Sequence, residues 1–246
     1  MNMTIVSLTL RQVLGRRRSL LMLLAAVIPV LIGAIFALNG SNEHSPERFA
    51  ATILLGGLVV NAVLPIVALV FGTSVLGSEI DEGTAVYLLS KPESRARIII
   101  SKLVVSWAAT VVVVVPSAAV AGLVTLKGSD QEGIVPAFAT AIALGALAYS
   151  CVFVLLSVLT SRALIVGLLY VFIWEGIVTN LFSGTRLLSI REFTLAIADA
   201  LTRVDASDFE ANLGAAQGLF LLAAVVIGAT AYAIRRLERF EVGEAT

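Results

Sequence analysis

Six long apolar runs set the terms on which this chain can fold. They are Ser19–Leu38, Ala51–Gly77, Leu103–Leu126, Pro136–Thr160, Ala163–Phe182 and Gly214–Ile234. A helix needs roughly 20 mostly apolar residues to cross a hydrocarbon core about 30 Å thick, and each run meets that length. Hydrophobic residues make up 59% of the chain and charged ones 14%. A soluble domain carries about 25% charged residues, so no hydrated surface can be built from this composition. The expected fold is all-α: a polytopic membrane protein with six transmembrane helices in a single domain over residues 1–246.

Three runs hold an internal proline (Pro29, Pro65, Pro116), where a kink is expected. Gly214 and Gly218 form a GxxxG pair that permits close helix contact. Ahead of the first run, Met3, Val6, Leu10, Val13 and Leu14 recur at helical spacing, opposite Ser7, Arg11 and Gln12. That is the pattern of an N-terminal amphipathic helix lying in the interface. It does not read as a secretory signal, because the apolar run after Arg16-Arg17-Arg18 is too long for a signal core. Of the 17 Lys and Arg residues, twelve fall in segments on the N-terminal side of the membrane and five on the other. The positive-inside rule then puts both termini in the cytoplasm.

The longest outer segment is Ser183–Leu213. Its Ile190, Phe193, Ile197, Leu201 and Val204 are spaced 3, 4, 4 and 3 apart, which predicts an outer amphipathic helix between spans five and six. One charge interrupts the apolar runs: Trp174-Glu175 lies about two-thirds of the way along the fifth. A charge near the bilayer centre costs about 3 kcal/mol on insertion scales, so it is expected to face a partner or a cavity. Nearer the outer interface, Trp174 would instead belong to an aromatic belt. Either way, Trp174 and Glu175 are a candidate intramembrane polar site.

Other chemistries lack support. Net charge is zero, which implies no nucleic-acid partner. The one cysteine, Cys151, cannot form an intrachain disulfide, and the one histidine, His44, sits in a polar loop. The chain has no GxxxxGK[ST], HExxH or GxSxG motif and no Cys/His cluster. It therefore offers no nucleotide-binding loop, no metalloprotease or esterase centre and no metal site. No catalytic residue is assigned.

Between the second and third runs stands a charged island, Ser78 to Lys102, reading SEIDEGTAVYLLSKPESRARIIISK. An acidic cluster opens it with Glu79, Asp81 and Glu82. Gly83 lets an emerging helix stop. Thr84 can cap a short new helix with Val86 and Leu89 on one face and Tyr87 close by. The Lys91-Pro92 step ends that helix, Ser94 can cap the next, and Arg95, Arg97 and Lys102 form a basic close. The expected element is a short helix held across the cytoplasmic membrane surface, suited to docking in a groove of another protein. The plainer alternative is a solvated connector.

The stretch from Glu79 to Arg95, with Lys102 downstream, resembles the cytoplasmic signature of the ABC type-2 permease family, the six-span membrane subunits of bacterial ATP-binding-cassette exporters. The layout is similar over essentially the full length. Trp174-Glu175 and the run from Gly184 to Arg191 also look like bacterial members. Lys91 departs from the pattern, since a small or apolar residue often stands there. The resemblance implies a multi-pass protein of the bacterial cytoplasmic membrane, surrounded by its lipid. Two such subunits, identical or homologous, would pair with two separate ATPase subunits that bind the ATP, and the chain itself would need no cofactor. The island would hold the coupling helix. Glu79, Asp81 and Glu82 would be its polar contacts and Tyr87, Leu88 and Leu89 its apolar anchors. Gly83, Thr84, Pro92 and Arg95 would complete the docking segment. Motion of that helix would tilt spans two and three. Three functions fit: export of an apolar or amphipathic compound (drug, antibiotic or lipid), transmission of ATP-driven motion to an extracytoplasmic partner for envelope-protein maturation, or a non-transporting membrane anchor.

Overall fold

The computed structural model describes residues 17–39, 45–81, 95–128, 130, 133–205 and 208–239. Among them the chain is mostly helical and has no strand. Helix α1 is Arg17–Asn39. Helix α2 is one continuous rod of three windings: Pro46–Arg48, the π-helical Phe49–Val63 and the α-helical Leu64–Asp81. Helix α3 is Arg95–Thr125 and α4 is Ile134–Leu159. Helix α5 runs as Ala163–Leu169, π-helical Tyr170–Val178 and Thr179–Leu181. A 3₁₀ turn, Ser183–Leu188, leads to α6, Ile190–Leu201, and α7 is Ala215–Arg239.

Four helices are long and apolar enough to cross a membrane: Pro46–Val75 within α2, Arg95–Thr125, Ile134–Leu159 and Ala215–Leu237. Two shorter apolar stretches accompany them among the described residues, Ala25–Asn39 within α1 and Ala163–Val178 within α5. The expected interfacial helix over Met3 to Leu14 lies outside the described residues. Helix α3 starts at Arg95, about two turns ahead of its apolar run. The basic close of the island is therefore the first turns of a membrane helix. All three prolines sit inside helices. Pro65 lies where α2 changes from π to α winding, a natural seam because proline supplies no N–H to either ladder.

Helix α4 is the hub, packed against α2, α3, α5, α6 and α7. Its inward face carries Phe138, Ala141, Ile142, Gly145, Ala146, Tyr149 and Phe153, all buried. Small residues there let partner backbones come close, which is how helices gain packing energy in lipid. A Cβ on Gly72 of α2 would stand 2.7 Å from Phe153 Cβ on α4. That atom is fixed to the backbone and cannot yield. Gly72→Ala is expected to push the two helices apart at a cost of about 1–3 kcal/mol. The melting temperature of the detergent-purified variant reads this directly; an unchanged value would show that the two helices do not meet there. Helix α1 packs on α3 through a Ser117 hydroxyl bond to the Ala26 carbonyl, and on α2 through the stacked rings of Phe36 and Phe49, 3.8 Å apart.

Candidate functional site

After α5 the chain turns back into the bundle. Trp174 Nε1 donates to the carbonyl of Leu188 at 3.2 Å, so the 3₁₀ turn has returned alongside the helix that precedes it. Helix α6 then packs against the middle of α4. A Cβ at Gly145 would collide with the Thr194 hydroxyl of α6. On its other side a Cβ at Gly218 of α7 would stand 2.9 Å from Ala196 Cβ. Gly214, the other half of the GxxxG pair, precedes α7 and approaches nothing. Ile190, Phe193, Ala196, Ile197 and Ala198 of α6 are all buried. The expected amphipathic helix is thus a wedge between α4 and α7, its apolar face packed against both.

A helix that begins inside the bundle has a problem at its start. Its first N–H groups have no intrahelical acceptor, and no water is at hand in an apolar interior. Two side chains solve it. Ser189 is the N-cap, and its hydroxyl accepts from the Glu192 N–H at 3.3 Å. Glu175, reaching across from α5, accepts from the Ile190 N–H through Oε1 at 3.0 Å. The same carboxylate accepts the Tyr170 hydroxyl on Oε1 at 3.0 Å and the Ser189 hydroxyl on Oε2. Glu175 is 1% exposed. Its charge is offset by three donors and by the positive end of the α6 dipole.

The π winding of α5 makes this possible. At 3.6 residues per turn, residues five apart stand about 140° apart around the axis. With i→i+5 hydrogen bonding more residues go into each turn, and Tyr170 and Glu175 come onto one face. The Tyr149 hydroxyl of α4, fully buried, also lies close to Glu175.

From Glu175 and Ser189 the polar network runs outward. Arg191 donates to Asn61 Oδ1 of α2 at 3.1 Å and pairs with Glu192 at 2.7 Å. Glu192 Oε2 accepts from Asn212 at 2.8 Å, and Asn212 Oδ1 accepts from Arg186 at 2.8 Å. Helices α2, α5 and α6 and the segment before α7 are tied together at one level of the bundle.

At the other end lies the root of the charged island. Glu79 and Asp81 fall in the last turn of α2, and Arg95, partly buried, opens α3. The expectations for Glu82, Gly83, Thr84, Tyr87, Leu88, Leu89 and Pro92 lie outside the described residues. Lys102, counted from the sequence as a cytoplasmic charge, is fully buried; its ammonium donates to the Val75 carbonyl of α2 at 2.7 Å.

Sequence reasoning singled out Trp174 and Glu175 and missed Tyr170, Ser189 and Glu192 as their company. One signal was available: Ser189-Ile-Arg-Glu192 has the Ser-x-x-Glu spacing of a capping box and marks where α6 begins.

A profile of the ABC-2 family transporter proteins matches residues 15–177, well over half of the chain. The matched stretch runs through the island and reaches Glu175. No curated protein matches the chain. With its long apolar helices, the chain belongs to the ABC-2 transporter family, as the multi-pass membrane subunit of an ABC transporter that partners an ABC ATPase.

Proposed function

We propose that this chain is the permease of a bacterial exporter that moves an apolar or amphipathic compound out across the cytoplasmic membrane. It crosses the membrane six times with both termini inside. It works as a homo- or heterodimer with a second permease, driven by two ATPase subunits docked on residues 78–95. Family membership carries the reading, because an ABC ATPase needs a lever through which to move its membrane partner. Helices α2 and α3 suit that role. They bracket residues 82–94, and Lys102 joins them near that end. A displacement of the bracketed segment would pass into both.

The alternative of a relay to an extracytoplasmic protein fits less well. The amphipathic helix that such a partner would grip has its apolar face taken by α4 and α7.

The test is co-purification with the ATPase subunit, followed by transport in proteoliposomes. Reversing the charge at Glu79 and Glu82 together is expected to lower ATPase retention or coupled transport about tenfold or more, since like charges across a docking face oppose binding. If assembly, hydrolysis and transport all survive, those residues do not dock the motor.

A further inference from the structure

A cavity of about 410 Å³ opens between α2, α6 and the segment that leads to α7. Its size is that of a small-molecule site. The π winding of α2 builds its wall. Thr52 and Asn61 are nine residues apart and would stand on about opposite faces of an α-helix. The wider i→i+5 winding brings both into the cavity wall, with Gly56 and Gly57 between them.

Charged groups of both signs line the cavity. Arg191 is held by Asn61 and Glu192. Asp208 and Glu210, which flank Phe209 in the chain, line it as well. Among the described residues, neither carboxylate has a hydrogen-bond or ion-pair partner. Their segment is nonetheless fixed. Thr52 donates to the Asp208 carbonyl at 2.6 Å, and the Ala211 N–H donates to the Asp199 carboxylate at 3.1 Å. Phe209 is buried, its ring 5.4 Å from that of Phe138. Two carboxylates without a partner on a fixed segment, beside an apolar flank at Leu195, complement a positive charge on an alkyl stem.

We infer that this cavity binds the head of an ammonium-bearing amphiphile, with the ammonium between Asp208 and Glu210 and the stem along Leu195 and the glycine floor. The inference concerns binding alone and holds whether or not the chain exports the ligand. An aminophospholipid or a free amphiphilic amine carries the same chemistry.

The experiment uses the full-length protein in phosphatidylglycerol nanodiscs. Dodecylammonium is the probe, with dodecyl sulfate and dodecanol as controls. Saturable binding of the amine alone is expected. Asp208→Asn with Glu210→Gln should weaken it about tenfold or more. Both carboxylates are accessible and unpaired, so the double variant is expected to keep its elution profile and melting temperature. Competition by added phosphatidylethanolamine supports the proposal with lipid as the occupant; amine binding that persists beside it supports the proposal with a free amphiphile. Equal binding of the sulfate probe, or an unchanged Kd in the double variant, overturns it.

Discussion

Glu175→Ala is expected to lower the stability of the purified protein by about 3 kcal/mol or more, or to prevent its accumulation in the membrane. The reasoning rests on what the carboxylate holds. It accepts the Ile190 N–H and the hydroxyls of Tyr170 and Ser189, all away from solvent. Alanine removes the acceptor and leaves three donors without one. Each buried unsatisfied group costs about 1–3 kcal/mol, and the vacated volume adds to that. For a chain of this length a loss of that size corresponds to a fall in melting temperature of about 6–12 °C. Glu175→Gln separates charge from acceptor. Its amide oxygen can still take the Ile190 N–H, but its NH₂ faces the Ser189 hydroxyl and the attraction to the helix dipole is gone. An intermediate loss of about 1–2 kcal/mol is expected. A functional role beyond capping would appear as a transport defect in Glu175→Gln larger than its stability loss explains. If Glu175→Ala melts with the parent protein, the carboxylate does not cap α6.

Much of this arrangement was legible in the chain, and the illegible part has a definite cause. Length and apolarity marked α2, α3, α4 and α7, because a helix in hydrocarbon must satisfy its own backbone. The 3, 4, 4, 3 spacing marked α6, although Val204 falls beyond its end at Leu201. Burial of a charge in the fifth run required a partner for Glu175. The expectation was a partner or a cavity, and the structure supplies the start of a helix that comes later in the chain. Three facts hid this. Helical periodicity was judged at 3.6 residues per turn, which sets Tyr170 far from Glu175. The fold-back after Leu181 depends on tertiary contacts at Gly145 and Gly218, and composition does not show where a glycine meets a helix. Apolar length marked the fifth run as a helix but could not show that the chain folds back after it.

Lys102→Glu is expected to abolish accumulation of the protein, while Lys102→Met leaves it stable and loosens the joint between α2 and α3. The ammonium is fully buried and donates to the Val75 carbonyl at 2.7 Å. A carboxylate there meets the same carbonyl oxygen with no proton to share. A buried charge left without a compensating partner costs about 3–5 kcal/mol. Methionine instead keeps the length and apolar stem while removing the charge. It leaves no buried charge to satisfy and fills about the same space, so a change within about 1 kcal/mol is expected. What methionine cannot do is bridge the helices. Nitroxide labels on cysteines at positions 78 and 97, in a Cys151→Ala background, bracket the joint. Their distance distribution should be narrow when Lys102 is present and broader in the Lys102→Met variant, at matched melting temperatures. Residues 82–94 lie between these two helices, so a looser joint should also weaken any force delivered there before it reaches the bundle. Transport per ATP hydrolysed would then fall further than hydrolysis itself. Equal widths in the two proteins would mean that packing alone holds the helices together and that the buried ammonium is not their tie.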